Sequence, residues 1–129
     1  MYSQIDSNKR QSVLLMMIFI AVIIGLGYIF DKTLGAGDYS YVVFAILLSF
    51  GMTAISYFQG DKIALWSTGA KPITKEDNAY VYRMVENLCI SQGMPVPKVH
   101  IIPSQALNAF ATGRDPQHAS LTITEGLIA

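Results

Sequence analysis

The chain has 129 residues, 52% of them hydrophobic and 14% charged, with a formal net charge of zero. So apolar a balance is wrong for one soluble domain, and zero net charge without interleaved basic and aromatic residues excludes a nucleic-acid partner. The one cysteine, Cys89, excludes an intramolecular disulfide and leaves the redox compartment open.

The apolar residues are concentrated in two uncharged runs, 13–30 (VLLMMIFIAVIIGLGYIF) and 41–58 (YVVFAILLSFGMTAISYF). Each makes a helix of roughly 27 Å, and its uncharged flanks extend it enough to cross a hydrocarbon core about 30 Å thick. A cleaved signal peptide competes for the first run, with Lys9 and Arg10 before it and the small residues Gly35, Ala36 and Gly37 after it. The run exceeds the usual signal core of roughly 7–15 residues, and a second run follows at once.

Residues 31–38 (DKTLGAGD) allow only a tight connection, so residues 1–60 form an antiparallel membrane hairpin with the lipid bilayer as its partner. Lys9 and Arg10 lie before it and Lys62, Lys71 and Lys75 after it, against Lys32 in the connection. The positive-inside rule then puts both termini in the cytoplasm. Ala45, Ser49 and Thr53 in the second span, and Ala21 and Gly25 in the first, recur every four residues and predict close helix packing. Neither span holds an ionisable residue, so no ion or proton path is predicted. Tyr28, Tyr39, Tyr41, Tyr57 and Trp66 sit where rings anchor at the headgroups.

Residues 61–73 read as an interfacial linker, and 74–129 as the start of a cytoplasmic domain. In TKED, Thr74 is placed to cap a helix with acidic residues in its first turn. Val81, Met84, Val85 and Leu88 follow on one face with Cys89 beside them, and Gly93 is a natural stop. Cys89 reads as a small buried hydrophobe, since no nearby cation is there to lower its pKa. Residues 98–102, bracketed by Pro95, Pro97 and Pro103, predict a strand. NAFATG and ASLTITE predict two more, joined by the turn-rich GRDPQH. In the last strand Ala119, Leu121 and Ile123 point one way and Ser120, Thr122 and Thr124 the other. The fold class is thus a two-helix membrane hairpin followed by an incomplete α+β segment of one amphipathic helix and about three strands. The apolar side chains of Leu121, Ile123 and Leu127 are expected to be exposed or packed on the membrane-proximal helix.

Chemistry is sparse. His100 and His118 are the only histidines, and no carboxylate stands at ligand spacing from either, so no metal site is predicted. Ser104 and Ser120 have no evident base, and no nucleophile elbow or phosphate-cradling glycine loop is present. On spacing alone no catalytic residue is assigned.

Taken in order, the N-terminal MYSQIDSNKRQSVLL with two spans behind it, then PVPKVHII, NAFATGRDP and HASLTITEGLI, resemble the start of the HtpX family of membrane-bound zinc metallopeptidases, relatives of the CAAX prenyl endopeptidases. The resemblance implies a zincin-like domain at the cytoplasmic face of the cell (plasma or inner) membrane that cleaves misfolded membrane proteins. It also implies an H-E-x-x-H helix, whose two histidines share a face to bind zinc while the glutamate takes a proton from the metal-bound water. That motif is not among these residues, and the resemblance puts every catalytic residue and zinc ligand beyond Ala129. It thus implies an N-terminal portion, inactive by itself, with zinc bound in the full-length parent and none by this chain. What remains is substrate positioning: Asn108, Ala109, Phe110 and Ala111 are implied beside a cleft where extended substrate pairs with an edge strand. The residues alone read equally well with Phe110 in the core and Asn108 fixing a turn. Homo-oligomerisation is left open. The alternative reading is a non-enzymatic two-span membrane protein with a partner-binding tail; a hole-forming peptide would explain the hairpin but not the tail.

Overall fold

The computed structural model describes residues 2–35 and 37–129, in two compact units that divide between Ser56 and Tyr57. Ala36, within the small-residue stretch weighed above as a cleavage site, lies outside the described residues.

The first unit holds helix α1 (Tyr2–Thr33) and the beginning of helix α2 (Ser40–Ser67). Both are longer than their apolar runs, and Asp31 and Lys32 belong to α1 rather than to the connection. Either helix is long and apolar enough to cross a membrane. In their most apolar stretches only 6% of α1 and 11% of α2 is buried, so the apolar side chains face outward, the reverse of a soluble core helix. The stripe on α2 is as expected: Ala45 and Ser49 are buried and Thr53 half-buried. On α1 it is not Ala21 and Gly25 that make the close approach. A Cβ on Gly25 would meet nothing within 4 Å, whereas one on Gly27 would stand 2.5 Å from the Ala45 Cβ and 2.9 Å from the Tyr41 carbonyl. The buried face runs Met16, Ile20, Ile23 and Ile24, Gly27, Asp31, a helical period that a four-residue pair of small residues does not reveal.

The second unit begins with the last turns of α2 and continues as strand β1 (Lys71–Pro72), helix α3 (Ala79–Gln92), strands β2 (Lys98–Ile102), β3 (Ala109–Thr112) and β4 (Ser120–Thr124), and a short helix α4 (Glu125–Ile128). The strands lie in the order β1-β2-β4-β3, with β2 and β4 parallel and the two outer pairs antiparallel. The three expected strands are all present. β1 adds a fourth, too short at two residues to show alternation.

Thr74 does not start α3. Its N–H and hydroxyl both donate to Asp77 Oδ2, at 2.7 and 2.9 Å, closing a separate capped turn. Asn78 then caps the helix, Oδ1 accepting from the Val81 N–H at 3.2 Å. The buried face also differs from the one expected: Val81 and Val85 are buried, with Tyr82 and Cys89 half-buried, while Met84 and Leu88 stay exposed. Gly93 ends the helix in the left-handed region, φ 63°.

The core is Val81 and Val85 of α3 against Val99 of β2 and Ile123 of β4, with Ile73, Tyr82, Cys89, Leu121 and Ile128 around it. So α3 is what covers Leu121 and Ile123, and Leu127 is left 48% exposed. The opposite face of the sheet carries His100, Ser120, Thr122 and Thr124, all buried.

Candidate functional site

β3 is the outermost strand beside β4. The Thr124 N–H donates to the Asn108 carbonyl at 3.0 Å, and Phe110 and Thr112 stand opposite Thr122 and Ser120. Antiparallel ladders alternate, so Asn108, Phe110 and Thr112 turn their backbone groups toward β4. Ala109 and Ala111 therefore present N–H and C=O to the open edge, and both are exposed. An edge of this kind can accept an extended chain as a further strand.

Thr124 fixes the approach to that edge. Its Oγ1 accepts from the Asn108 N–H at 3.0 Å and donates to the Ala106 carbonyl at 2.5 Å, while the residue is 5% exposed. Two residues on, the Gly126 N–H donates to the Ser104 carbonyl at 2.9 Å. A Cβ on Gly126 would collide with the Gln105 carbonyl, so only glycine allows residues 104–106 to lie so close. Residues 124–127 (TEGL) thus supply a hydroxyl that binds the loop before β3, and a gap for that loop to occupy.

The four residues expected at a substrate cleft, Asn108, Ala109, Phe110 and Ala111, are thus brought together along one edge. Phe110 is half-buried on the polar face opposite Thr122, outside the apolar core, and Asn108 is tied through its backbone to Thr124. Ala129, the position past which catalytic residues are expected, is not itself a site residue. Its N–H donates to the Glu125 carbonyl at 3.1 Å and closes the turn of α4, and its methyl side chain can neither bind a metal nor move a proton.

The polar face carries the remaining reactive side chains. His100, 6% exposed, pairs in register with Thr122, 0% exposed. His100 Nδ1 and the hydroxyls of Thr122 and Thr112 are buried without a hydrogen-bond partner among the described residues. Burial, assisted by the charge of Lys98, holds His100 below its ordinary value, so the ring is neutral at neutral pH. His118 is engaged elsewhere: its Nδ1 lies 2.7 Å from Asp115 Oδ1, which also accepts the His118 N–H at 2.8 Å. The bond from the ring holds the Asp115 carboxyl below its usual range, with smaller help from that N–H and from Arg114. Neither histidine converges with other ligating groups, and among the described residues no three of His, Cys, Asp or Glu could hold a metal ion. A zinc ion does not fit the described residues of this chain.

What sequence reasoning missed is a cleft of about 350 Å³ on this face, where the last turns of α2 meet the turn after β3. Lys62, Lys98, Arg114 and His118 line it with Ser120. Only the turn residue Gly113, at φ 131°, could have pointed to it: a Cβ there would collide with the His118 carbonyl, so glycine folds residues 114–118 back over the strand.

Two long apolar helices followed by a helix-backed mixed sheet define a membrane-type helical hairpin joined to an α+β module. No protein-family model matches the chain. It is 40% identical over 128 residues to the Protease HtpX homolog of Tropheryma whipplei (strain Twist), covering 99% of this chain and 43% of that protein. It is 38% identical over 121 residues to the Protease HtpX homolog of Desulfatibacillum aliphaticivorans, covering 94% and 37%. A solved structure, that of S. mikatae Ste24p, aligns with 99% of this chain and 30% of its own, at 17% identity and a TM-score of 0.49. The chain is a homologue of the HtpX-named proteases over nearly its whole length, and it spans less than half the length of these curated relatives.

Proposed function

We propose that this chain is the N-terminal, membrane-anchoring and substrate-presenting part of a zinc metalloendopeptidase of protein quality control. α1 and α2 cross the cell membrane as a hairpin with both termini in the cytoplasm, and the sheet is the first part of a zincin-like domain. Misfolded membrane proteins are the substrate class, and zinc with its H-E-x-x-H ligands belongs to residues outside this chain. Asn108, Ala109, Phe110 and Ala111 present substrate. The observation that carries this role is the open edge of β3, where the backbone groups of Ala109 and Ala111 are free to pair with an extended polypeptide.

The test is binding of a fluorescein-labelled, denatured casein fragment to the full chain in nonionic detergent, read by anisotropy. Ala111→Pro removes an N–H at the open edge but none from the β3–β4 ladder, so the fold survives. Affinity should fall about tenfold, the loss of one good backbone hydrogen bond. Unchanged affinity would sink the reading. A partner-binding tail without enzymatic function is favoured by one feature, the outward face of α3, where Tyr80 is 73% and Leu88 62% exposed. That reading predicts binding lost in Leu88→Asp and kept in Ala111→Pro.

A further inference from the structure

We propose that the cleft on the polar face of the sheet binds a phosphate oxyanion, held by Lys62, Lys98 and Arg114. All three line it and all belong to the second unit. At about 350 Å³ it falls at the lower end of the volumes that hold small ligands.

The floor is built by register. Lys98 of β2 stands opposite Ser120 of β4, so the two side chains, both lining the cleft, share one face; Thr112 of β3 continues that row beyond the lining residues. Ser120 is 3% exposed, and the Thr112 hydroxyl is buried with no partner among the described residues. Over the floor, the Arg114 guanidinium lies 5.1 Å from the centroid of the Phe58 ring, a cation–π contact that restrains it. A restrained guanidinium suits the paired oxygens of phosphate, and the two lysines supply mobile charge.

Two carboxylates oppose them. Asp61 lines the cleft, and Asp115 stands 3.8 Å from Arg114 Nε. Asp115 is already committed to His118, through the ring and the backbone N–H. Lys62 and Lys98 form no ion pair among the described residues, in contrast to Lys75, which meets Glu86 at 3.0 Å. Two uncommitted cations beside a restrained guanidinium leave the cleft short of negative charge.

Both a lipid headgroup and a soluble phosphate carry this chemistry. Position favours the lipid: Phe58 closes the uncharged run of α2, and Gln59, Asp61 and Lys62 follow in the same helix. In a helix that crosses a bilayer, that turn stands at headgroup depth.

The experiment uses the full chain in dodecyl maltoside, titrated in separate arms with inorganic phosphate, with short-chain phosphatidylglycerol and with short-chain diacylglycerol, which lacks the phosphate, with binding read by native mass spectrometry and NMR shifts. Phosphatidylglycerol should bind, and Lys98→Gln and Arg114→Gln should each weaken it about tenfold, the loss of one charge-assisted hydrogen bond. Asp61→Asn should tighten it, and Lys75→Gln, outside the cleft, should leave it unchanged. Because Arg114 also packs on Phe58, the exposed Lys98 variant with an unshifted melting midpoint keeps the result interpretable. Binding of phosphate and phosphatidylglycerol alike assigns the site to the oxyanion itself; binding of the lipid alone assigns it to the headgroup. Equal binding of diacylglycerol, no binding in any arm, or an unmoved affinity in Lys98→Gln overturns the proposal.

Discussion

Thr124 and Thr122 stand two residues apart on β4, both buried on the same face, and the same substitution should move stability in opposite directions at the two. In Thr124→Val the volume is kept, but the Asn108 N–H and the Ala106 carbonyl each lose the hydroxyl as partner. Two partly buried hydrogen bonds lost at roughly 0.5–1.5 kcal/mol each, with water able to reach Asn108 and Ala106, give a loss of about 1–2 kcal/mol. For a domain of this size 1 kcal/mol moves the melting midpoint about 4–8 °C, so a fall of roughly 4–16 °C is expected. Thr122 Oγ1 has no partner among the described residues, so Thr122→Val removes an uncompensated hydroxyl and should leave the midpoint unchanged or raise it. The assay is thermal unfolding of the full chain in dodecyl maltoside, with hydrogen exchange at Asn108 as the local readout. Thr124→Ser, which keeps the hydroxyl, should behave nearly as wild type. Equal shifts for the two valine variants, or slow exchange at Asn108 in Thr124→Val, would refute the assignment of Thr124 as the residue that ties the loop to β4.

Gly126→Ala forces the Gln105 carbonyl away from α4 and should cost about 1–3 kcal/mol, with faster exchange of the Gly126 amide itself; a wild-type melt would contradict the close packing. His100 titrates below its ordinary value when folded, so between its lowered folded-state midpoint and about 6.5 the unfolded chain binds more protons. Stability should be complete above about pH 6.5 and fall as the pH drops below it, and His100→Gln should flatten the profile. A profile of the same slope in His100→Gln would assign the dependence elsewhere. In the hairpin, Gly27→Leu drives a side chain into Ala45 and the Tyr41 backbone, whereas Gly25→Leu meets open space. The first should loosen the helix pair, seen as reduced cross-linking between cysteines placed at Ile20 and Ser49, and the second should not.

The hairpin, the three main strands and the stop at Gly93 were legible because each rests on local signals: uncharged length, period-two alternation, and a glycine free to adopt positive φ. Where the reading slipped, a neighbour decided the outcome. Thr74 carries the right capping chemistry, but Asp77 turns back to it and Asn78 takes over the cap, and the covered face holds Tyr82 with the expected Cys89 while Met84 and Leu88 stay outside it. Gly25 looks like a packing residue by spacing, yet Gly27 faces α2 because the buried stripe of α1 extends through Ile23, Ile24 and Asp31. The edge residues Asn108 to Ala111 were reached through family resemblance, and their register explains the geometry that spacing could not give. The cleft of Lys62, Lys98 and Arg114 joins residues more than fifty positions apart, which no local pattern connects.

The edge of β3 is tested most directly by amide exchange at its four residues, with and without a saturating extended peptide. Ala109 and Ala111 should exchange fast in the free chain and slow by about tenfold or more on binding, while Phe110 and Thr112, bonded to β4, stay protected in both states. Unchanged exchange at Ala109 and Ala111 with peptide bound, or equal protection of all four amides in the free chain, would contradict the account.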